Sequence, residues 1–340
     1  MKASHRSAAR PDAAPTRSGE FARIARFFEQ GAKQLRAQLV DPAALGLGDD
    51  CALLQAPEGD PGPQIFAIST DMLVASRHFW PDVEPSSLGH KSLAVNLSDL
   101  AAMGARPSAF TLALALDDSN DDAWLDRFCS GLFALASEHG CELIGGDTTR
   151  GPLCICITVI GAVDPQRCLR RDRARPGDEI WVSGELGAAA FALRYPGCDP
   201  AADERLLRPQ PRIALGRALT RHALCAIDLS DGLLGDLRHI LERSRVGARV
   251  FAERIPVHRA LHKLPLDDQR VLALRGGDDY ELLFTAAPDA GDSLRGLASS
   301  LGIALTPIGL ITEDLAQEVV DANNRPIGLR FEGFDHFASG

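Results

Sequence analysis

Aspartates recur along the chain in short segments that also carry glycine, serine or threonine and lie directly beside apolar runs. These segments are residues 48–50, 69–71, 96–99, 145–148, 228–232 and 276–279. One such segment alone is an ordinary turn, because Asp favours turns and helix caps. Six of them predict carboxylates that gather at a common edge. Two carboxylates about 4 Å apart repel each other by roughly 4 kcal/mol at an effective dielectric constant near 20, so such a cluster requires cations.

The ligand types in these segments indicate which cation they would hold. All of them offer oxygen atoms, and none contains His or Cys. Oxygen-only sites select hard ions, Mg²⁺ first, usually in partnership with phosphate groups. The sequence therefore favours a magnesium site that acts on phosphates.

Asp99 gives a second indication, because it lies inside an otherwise apolar segment, 87–103, that predicts a buried helix. Asn96 is three residues earlier and shares its helix face. A carboxylate on a buried helix needs a partner, and a metal ion facing Asn96 and Asp99 explains the placement. A cap or a hydrogen bond within the core is the alternative that stays open.

Other nucleotide and metal motifs are weak or absent from the sequence. It contains no G-x-x-x-x-G-K-[ST] phosphate loop, and the glycines 46 and 48, or 184 and 187, do not complete the pattern G-x-G-x-x-G. Both pairs are interpreted as tight turns. His258 and His262 are four residues apart, but no nearby carboxylate or cysteine completes a zinc site.

Apolar periodicity and turn residues predict the elements that position these segments. Strands are predicted at 51–54, 65–70, 109–116, 141–144, 153–163 and 179–183. Helices are predicted at 87–103, capped by Ser86 or Ser87, and from a capping box at Ser119 to about Gly140. Both halves mix helices with strands, so the fold class is α/β or mixed α+β. A charged stretch after Val163 predicts two domains, 19–163 and 164–340.

Length, charge and composition exclude several classes of protein. The chain has 340 residues, which suits two domains, and 46 acidic against 36 basic residues give a net charge of -10. We therefore predict no nucleic-acid partner. The longest nearly apolar run, 153–163, is well short of the about 18 residues that a membrane helix needs, so no membrane span is predicted.

Cysteine usage and the N-terminal segment bear on location. The eight cysteines include no C-x-x-C pair, which predicts reduced core thiols and a cytoplasmic protein. Residues 1–18 are rich in Ala, Ser and Arg and predict a disordered tail. A targeting peptide is the alternative for this tail.

Six runs of the sequence together resemble the thiamine-monophosphate kinase family, within the aminoimidazole-ribonucleotide-synthetase-like superfamily. They are residues 46–54, 68–74, 91–105 (KSLAVNLSDLAAMGA), 143–151, 227–233 and 276–282, and the similarity extends over roughly 19–337. The resemblance implies an N-terminal domain whose strands form a β-barrel across a homodimer, and a C-terminal α/β domain that closes over the nucleotide. It implies direct, in-line, magnesium-assisted phosphorylation of thiamine monophosphate by ATP, giving thiamine diphosphate.

The resemblance also implies roles for individual residues. The implied ligands of several Mg²⁺ ions are Asp50, Ser69, Thr70, Asp71, Asp99, Asp147, Asp228 and Asp231, among which Asp50, Asp71, Asp99, Asp147 and Asp231 are the implied catalytic residues. ATP is expected to contact Gly146, Asp147, Ser230 and Arg171, or Arg170 beside it. Thiamine monophosphate is expected to contact His78, Asp278 and Phe331, of which the last two suit its thiazolium cation.

Three positions depart from the usual pattern of the family. Glu usually stands where this chain has Asp278, Trp often stands where it has Phe331, and the segment 74–78 also differs. Two alternative functions stay open from the sequence: another ATP-dependent enzyme of the same superfamily, or a catalytically silent nucleotide-binding module.

Overall fold

The structure is a computed structural model that describes residues 49–55, 65–329 and 331. The predicted tail at 1–18, the start of the first domain at 19 and the turn at Gly46 and Gly48 lie outside these residues. Within the described part, no helix has the length and apolar character needed to cross a membrane.

Five strands form the first sheet. They are β1 (Ala52–Gln55), β2 (Ile65–Val74), β3 (Arg106–Leu116), β4 (Glu142–Arg150) and β5 (Cys154–Val163), in the order β1-β2-β5-β3-β4. Neighbouring strands are antiparallel except β3 and β4, which are parallel. Buried and partly buried residues alternate along β5, which is the pattern of a sheet with one face packed on the core.

Two long helices pack over this sheet. Helix α1 (Pro85–Ala102) contacts β2 and β5, and α2 (Asp122–His139) packs on α1. The two helices approach closely, because a Cβ atom at Gly89 would lie 2.0 Å from the carbonyl oxygen of Phe128. Nearly every residue of α1 is buried, so the polar residues within it must find partners inside the protein.

The helix caps differ from those predicted. Glu84 caps α1 by accepting a hydrogen bond of 2.7 Å from the N–H of Ser87, so the predicted serine caps are wrong. Asp121, and not Ser119, caps α2 by accepting from the N–H of Trp124 at 2.8 Å. Asp and Glu oxygens compete with serine at these positions, and local sequence does not decide between neighbouring candidates.

Strand β4 is longer than the sequence predicts. The strand was expected at 141–144, followed by a glycine turn, yet it continues through Gly146 and Asp147 to Arg150 by pairing with β3. Gly146 has a φ of 149°, and a Cβ there would lie 1.9 Å from the carbonyl oxygen of Leu112. Glycine weakens a strand by itself, so only the pairing with β3 reveals this extension.

Six strands form the second sheet. They are β6 (Glu179–Ser183), β7 (Cys225–Asp228), β8 (Gly247–Phe251), β9 (Leu282–Ala286), β10 (Leu305–Thr312) and β11 (Gln317–Val320), in the order β11-β8-β10-β6-β9-β7. The helices of this half are α3 (Ala188–Arg194), α4 (Pro200–Leu207), α5 (Ile213–Leu219), α6 (Leu233–Ser244), α7 (Leu266–Arg275) and α8 (Gly291–Leu301). The predicted mixed α/β class is confirmed.

The second sheet separates two hydrophobic cores. Ile180 and Val182 of β6 belong to one core, while Trp181 between them belongs to the core that continues under α1. This is the alternation of side chains that a strand buried on both faces produces. The core under α1 therefore spans both halves of the described chain.

The first sheet is open within one chain, since β1 and β4 are its edges among the described strands. A closed barrel does not form from the described residues of one copy. The barrel that spans a homodimer stays a prediction.

A buried ion cluster around Glu281 joins the second sheet to α5. Glu281 directly precedes β9 and is 1% exposed. Its carboxylate accepts hydrogen bonds from Ser183 Oγ at 2.5 Å, Arg212 Nε at 2.7 Å and Arg205 Nη1 at 3.3 Å. Arg212 directly precedes α5, and α5 packs on α1. The cluster thus connects the second sheet to the helix layer of the first.

Substitution of this buried carboxylate should destabilise the whole fold. Glu281→Ala is expected to lower the free energy of unfolding by about 3 kcal/mol, because it leaves the partly buried Arg212 without its counter-charge. Glu318→Ala is the matched control, since Glu318 pairs with Arg249 at the surface. This substitution should change the free energy of unfolding by less than about 1 kcal/mol. Urea unfolding measures both variants, and equal losses would contradict the role of Glu281 as a buried counter-charge.

Candidate functional site

Three aspartates from separate elements meet at one point. Asp50 lies just before β1, Asp99 lies on α1, and Asp228 ends β7. One carboxylate oxygen of each lies within 4.8 Å of those of the other two. Asp50 and Asp228 are buried, and Asp99 is partly buried. We call these three residues the aspartate cluster, and they come from three of the six segments singled out in the sequence.

Strand β2 and helix α1 hold Asp99 in place. Ser69 Oγ donates a hydrogen bond of 2.5 Å to Asp99 Oδ2. Asn96 Oδ1 accepts from the N–H of Asp71 at 3.1 Å, and Asn96 Nδ2 donates to the carbonyl oxygen of Ser92 at 3.0 Å. Both ends of the Asn96 amide are therefore used within the protein. Asn96 therefore fixes β2 on α1, and its metal-facing role stays a prediction.

Burial makes the carboxyl groups of Asp71, Asp99 and Asp228 difficult to ionise. Burial and the nearby carboxylate of Asp71 raise the pKa of Asp99 well above its usual range. Burial and the carboxylate of Asp50 raise the pKa of Asp228 in the same way, and they raise the pKa of Asp71 to about 6. Bound cations would favour the charged forms and lower these pKa values.

Arg171 brings a positive charge to the cluster. Its Nε donates to Asp50 Oδ2 at 2.9 Å and its Nη2 donates to Asp50 Oδ1 at 2.6 Å, while its N–H donates to Asp49 Oδ2 at 3.1 Å. Burial and repulsion from Asp50 still raise the pKa of Asp49 to about 7. The neighbouring Arg170 pairs with Asp172 at 2.6 Å. Of the two arginines, Arg171 is therefore the one that reaches the cluster.

The segment after Asp228 is fixed by hydrogen bonds at both ends. Asp236, a buried residue of α6, accepts from the N–H groups of Asp231 and of the following glycine, both at 3.1 Å. The carbonyl oxygen of Ser230 accepts from the N–H of Asp278 at 2.9 Å. The segments 228–232 and 276–279 are consequently held side by side.

Asp278 has both carboxylate oxygens occupied. Lys91 Nζ donates to its Oδ2 at 3.0 Å, and Tyr280 Oη donates to its Oδ1 at 3.0 Å. Lys91 is a buried residue of α1, eight positions before Asp99 on the same helix. Burial and the charge of Asp278 raise the pKa of Tyr280 well above its usual range, so its hydroxyl remains a donor.

Gly146 and Asp147 lie apart from the aspartate cluster. In the sheet register Gly146 is level with Leu112, Ile157 and Asp71 on successive strands. It is therefore three strand spacings, or about 14 Å, from Asp71. Two ligands of one Mg²⁺ ion lie within about 4.2 Å of each other, since each Mg–O distance is about 2.1 Å. Asp147 is exposed on β4 and, within one chain, cannot share an ion with Asp71.

Thr70 lies on the opposite face of β2 from Ser69 and Asp71, because side chains alternate along a strand. Its Oγ1 is 2.8 Å from Thr158 Oγ1 on β5. The hydroxyl of Thr70 therefore does not join the cluster. Its predicted role as a metal ligand can be met only by its main-chain carbonyl.

The structure also places His78 and Phe331. His78 follows β2, and its Nδ1 accepts a hydrogen bond of 2.9 Å from the N–H of Val74. Phe331 is 6% exposed and belongs to the core between the second sheet and its helices. Contact with a substrate stays a prediction for both residues.

The donors at the cluster fit a hard cation. All are carboxylate or hydroxyl oxygens. Ser98, one residue before Asp99, is fully buried, and its hydroxyl acts on Asp228 by hydrogen bonding, which lowers the pKa of that carboxyl against the larger effect of burial.

Sequence reasoning missed the partners of the candidate residues. Lys91 and Asp236 were not singled out, although each contacts a predicted site segment. Lys91 carried a usable signal, because it and Asp99 are the charged residues of an otherwise uncharged helix. Like Asp99, a lysine on a buried helix needs a partner.

Each half of the chain matches a known family model. Residues 48–163 match the model described as AIR synthase related protein, N-terminal domain, and residues 175–322 match the AIR synthase related protein, C-terminal domain. Thiamine-monophosphate kinase from Escherichia coli is 45% identical over 331 residues, covering 94% of this chain and 99% of that protein. Thiamine-monophosphate kinase from Bacillus subtilis is 32% identical over 308 residues, covering 86% and 93%.

Solved structures of similar proteins superimpose on this chain over most of its length. Thiamine-monophosphate kinase from Stenotrophomonas maltophilia superimposes with a TM-score of 0.73 at 46% identity, covering 88% of this chain and 96% of that chain. The structure of AaThiL complexed with AMPPCP and TMP superimposes with a TM-score of 0.77 at 26% identity, covering 94% and 97%.

The raised pKa of Asp71 predicts a pH-dependent cost to stability. Because its folded-state pKa, about 6, is above the ordinary value of 3.8, ionisation opposes folding progressively as pH rises from about 4 to 6. Asp71→Asn removes this cost. In metal-free buffer, the free energy of unfolding of Asp71→Asn minus that of wild type should increase by about 1–3 kcal/mol as pH rises over that window. At higher pH this difference should stay constant.

Urea unfolding at several pH values between about 4.5 and 7.5 tests this expectation. Asp289→Asn is the control, since Asp289 is exposed and should shift stability by no more than about 0.5 kcal/mol at any pH. A difference between Asp71→Asn and wild type that does not vary with pH would contradict the prediction.

Proposed function

Because this chain belongs to the thiamine-monophosphate kinase family of AIR synthase related proteins, we propose that it phosphorylates thiamine monophosphate with ATP to give thiamine diphosphate. The observation that carries this function is 45% identity to the Escherichia coli kinase over nearly the full length of both proteins. The AaThiL structure with AMPPCP, an ATP analogue, and TMP supports the same pair of substrates.

The chemistry explains why the site contains many carboxylates and no histidine in the cluster. The acceptor is a phosphate monoester whose second pKa is about 6, so it is already anionic at neutral pH and needs no strong general base. The γ-phosphoryl group moves from ATP to an oxygen of that phosphate, and ADP leaves. The obstacle is repulsion between the two anions, so catalysis consists of positioning and charge neutralisation.

We propose that the cluster and its neighbours hold magnesium. The proposed ligands are the aspartate cluster, Asp71, Asp231 and the hydroxyl of Ser69. Mg²⁺ bound there would neutralise the negative charge between the two phosphate groups. Ser69 and Arg171 orient the carboxylates of Asp99 and Asp50 through the hydrogen bonds described above.

The nucleotide is proposed to contact a wider surface. Arg171 and Ser230 lie beside the cluster, and Arg171 can offer its guanidinium to a phosphate in bidentate form. Gly146 and Asp147 are proposed to meet ATP, or an ion bound to it, at a separate position about 14 Å across the sheet. The distance of Asp147 from Asp71 thus supports the proposal that the site holds more than one metal ion.

The organic part of thiamine monophosphate is proposed to contact His78, Asp278 and Phe331. Of these, Asp278 is the one fixed next to the segment that carries Asp228 and Ser230. This contact supports a position for Asp278 beside the proposed phosphate site and outside the aspartate cluster.

We also propose that the protein forms a homodimer through the first sheet. Met72 on β2 is 55% exposed, and Phe66 and Ile68 on the same face are only partly buried. Large exposed apolar side chains on one sheet face are typical of interaction surfaces.

The two family matches support the proposed division into domains 19–163 and 164–340. The free state of all eight cysteines supports the proposed location in a reducing cytoplasm.

An assay for ADP and thiamine diphosphate formed from ATP, Mg²⁺ and thiamine monophosphate tests this function. Asp99→Asn and Asp147→Asn should each retain less than a tenth of wild-type turnover, a barrier increase above about 1.4 kcal/mol. Asp99→Asn should also stabilise the metal-free protein, because it removes a buried like charge. Asp147→Asn, at an exposed position, should change stability by no more than about 0.5 kcal/mol.

Three results would contradict the proposal in different ways. ATP consumption without thiamine monophosphate as acceptor would indicate another enzyme of the superfamily. No ATP consumption with any acceptor would indicate a silent nucleotide-binding module. More than a tenth of normal turnover in both variants would remove Asp99 and Asp147 from the catalytic residues.

Phe331→Ala tests the proposed aromatic contact separately from packing. Loss of stacking should raise the KM for thiamine monophosphate by an amount equivalent to about 1–2 kcal/mol, with little change in the KM for ATP. Phe191→Ala is the matched control, because Phe191 is 5% exposed in the same core. It should lower Tm and leave the ratio of the two KM values unchanged. The same behaviour in Phe331→Ala would assign Phe331 to the core alone.

A further inference from the structure

A buried lysine reaches from the first half of the chain to the substrate end of the proposed site. Lys91 is 4% exposed on α1, and its Nζ lies 3.0 Å from Asp278 Oδ2. Tyr280 Oη donates to the other oxygen of the same carboxylate at 3.0 Å. Asp278 is thus held by two directional contacts, from an ammonium and from a hydroxyl, and its orientation is fixed before any ligand arrives.

Fold stability alone does not account for this pair. The desolvation of two charges offsets their attraction, so a buried ion pair is often replaceable by apolar residues without loss of stability. The loop that carries Asp278 is also strained, because Asp278 and Tyr280 both have positive φ, 67° and 49°. Strained backbone that persists in a structure clusters at ligand sites, where the surrounding contacts hold it.

Helix α1 connects this pair to the aspartate cluster. Lys91 and Asp99 are eight residues apart on one straight element, which corresponds to roughly 12 Å along the helix axis. The helix therefore sets the distance between the phosphate end of the site and Asp278. A substrate that carries a phosphate at one end and a polar ring at the other must match that spacing.

We infer that Lys91 is a positioning residue for substrate recognition, acting through Asp278. It holds the carboxylate and its strained loop in the orientation that receives the organic part of the phosphate monoester. Because the lysine already balances the charge of Asp278, the carboxylate meets the substrate as an oriented hydrogen-bond acceptor and not as a free counter-ion for the thiazolium. This inference rests on the proposed function and assigns the way in which that site recognises its acceptor.

Steady-state kinetics of Lys91→Met test this role. The KM for thiamine monophosphate should rise at least tenfold, while kcat and the KM for ATP stay within twofold of wild type. Lys263→Met is the control, because Lys263 is the exposed lysine of the described part, and all three constants should stay within twofold. A uniform loss in both substrates would make Lys91 merely structural and overturn the inference.

A double-mutant cycle with Asp278→Asn supplies the decisive comparison. If Lys91 acts through Asp278, then Lys91→Met should change the KM for thiamine monophosphate by less than threefold in the Asp278→Asn background. The double variant leaves neither charge of the pair without its partner, whereas Asp278→Asn alone leaves Lys91 unpaired, so the Tm of each variant is measured to ensure that folded proteins are compared. A tenfold effect of Lys91→Met that persists in that background would overturn the inference.

Wild-type activity separates this inference from the proposed function. If the wild-type enzyme phosphorylates thiamine monophosphate but Lys91→Met behaves like wild type, only the role of Lys91 is wrong. If the wild-type enzyme does not use thiamine monophosphate, the proposed function fails and the inference fails with it.

Discussion

Repulsion among carboxylates held out of water governs the organisation of this protein. Asp50, Asp99 and Asp228 have oxygens within 4.8 Å of one another, and at that distance like charges repel by several kcal/mol. The protein compensates with the guanidinium of Arg171, and burial and mutual repulsion raise the pKa values of Asp99 and Asp228 well above their usual range. Full ionisation of the cluster would require further positive charge.

Helix α1 is the element that makes this arrangement possible. It is buried against the first sheet, α2 and α5, so the polar side chains within it cannot turn to solvent. Asn96 fixes β2, Asp99 joins the cluster, and Lys91 holds Asp278. A single helix thus sets the spacing between the aspartate cluster and Asp278. Its apolar residues provide the packing that keeps that spacing constant.

The site is shared between the two halves of the chain. Asp50 and Asp99 come from the first half, while Arg171, Asp228 and Asp278 come from the second. Polar contacts between the two halves include Arg171 with Asp50, Lys91 with Asp278, and His90 with the carbonyl oxygen of Pro209. The geometry of the aspartate cluster consequently depends on how the two sheets are held against α1. Neither half alone contains all three residues of the cluster.

The sequence by itself determined the chemistry and the class of the fold. Aspartates without His or Cys select hard cations whatever the fold, and apolar periodicity identified α1, α2 and most strands of the first half. Only the tertiary structure decided which residues meet. Asp147 is about 14 Å from Asp71 because three strand spacings separate them in the order β2-β5-β3-β4, and Lys91 contacts Asp278 across 187 positions of chain. Local patterns specify residue types and elements, whereas strand order and packing between distant elements set the distances on which ligand sharing depends.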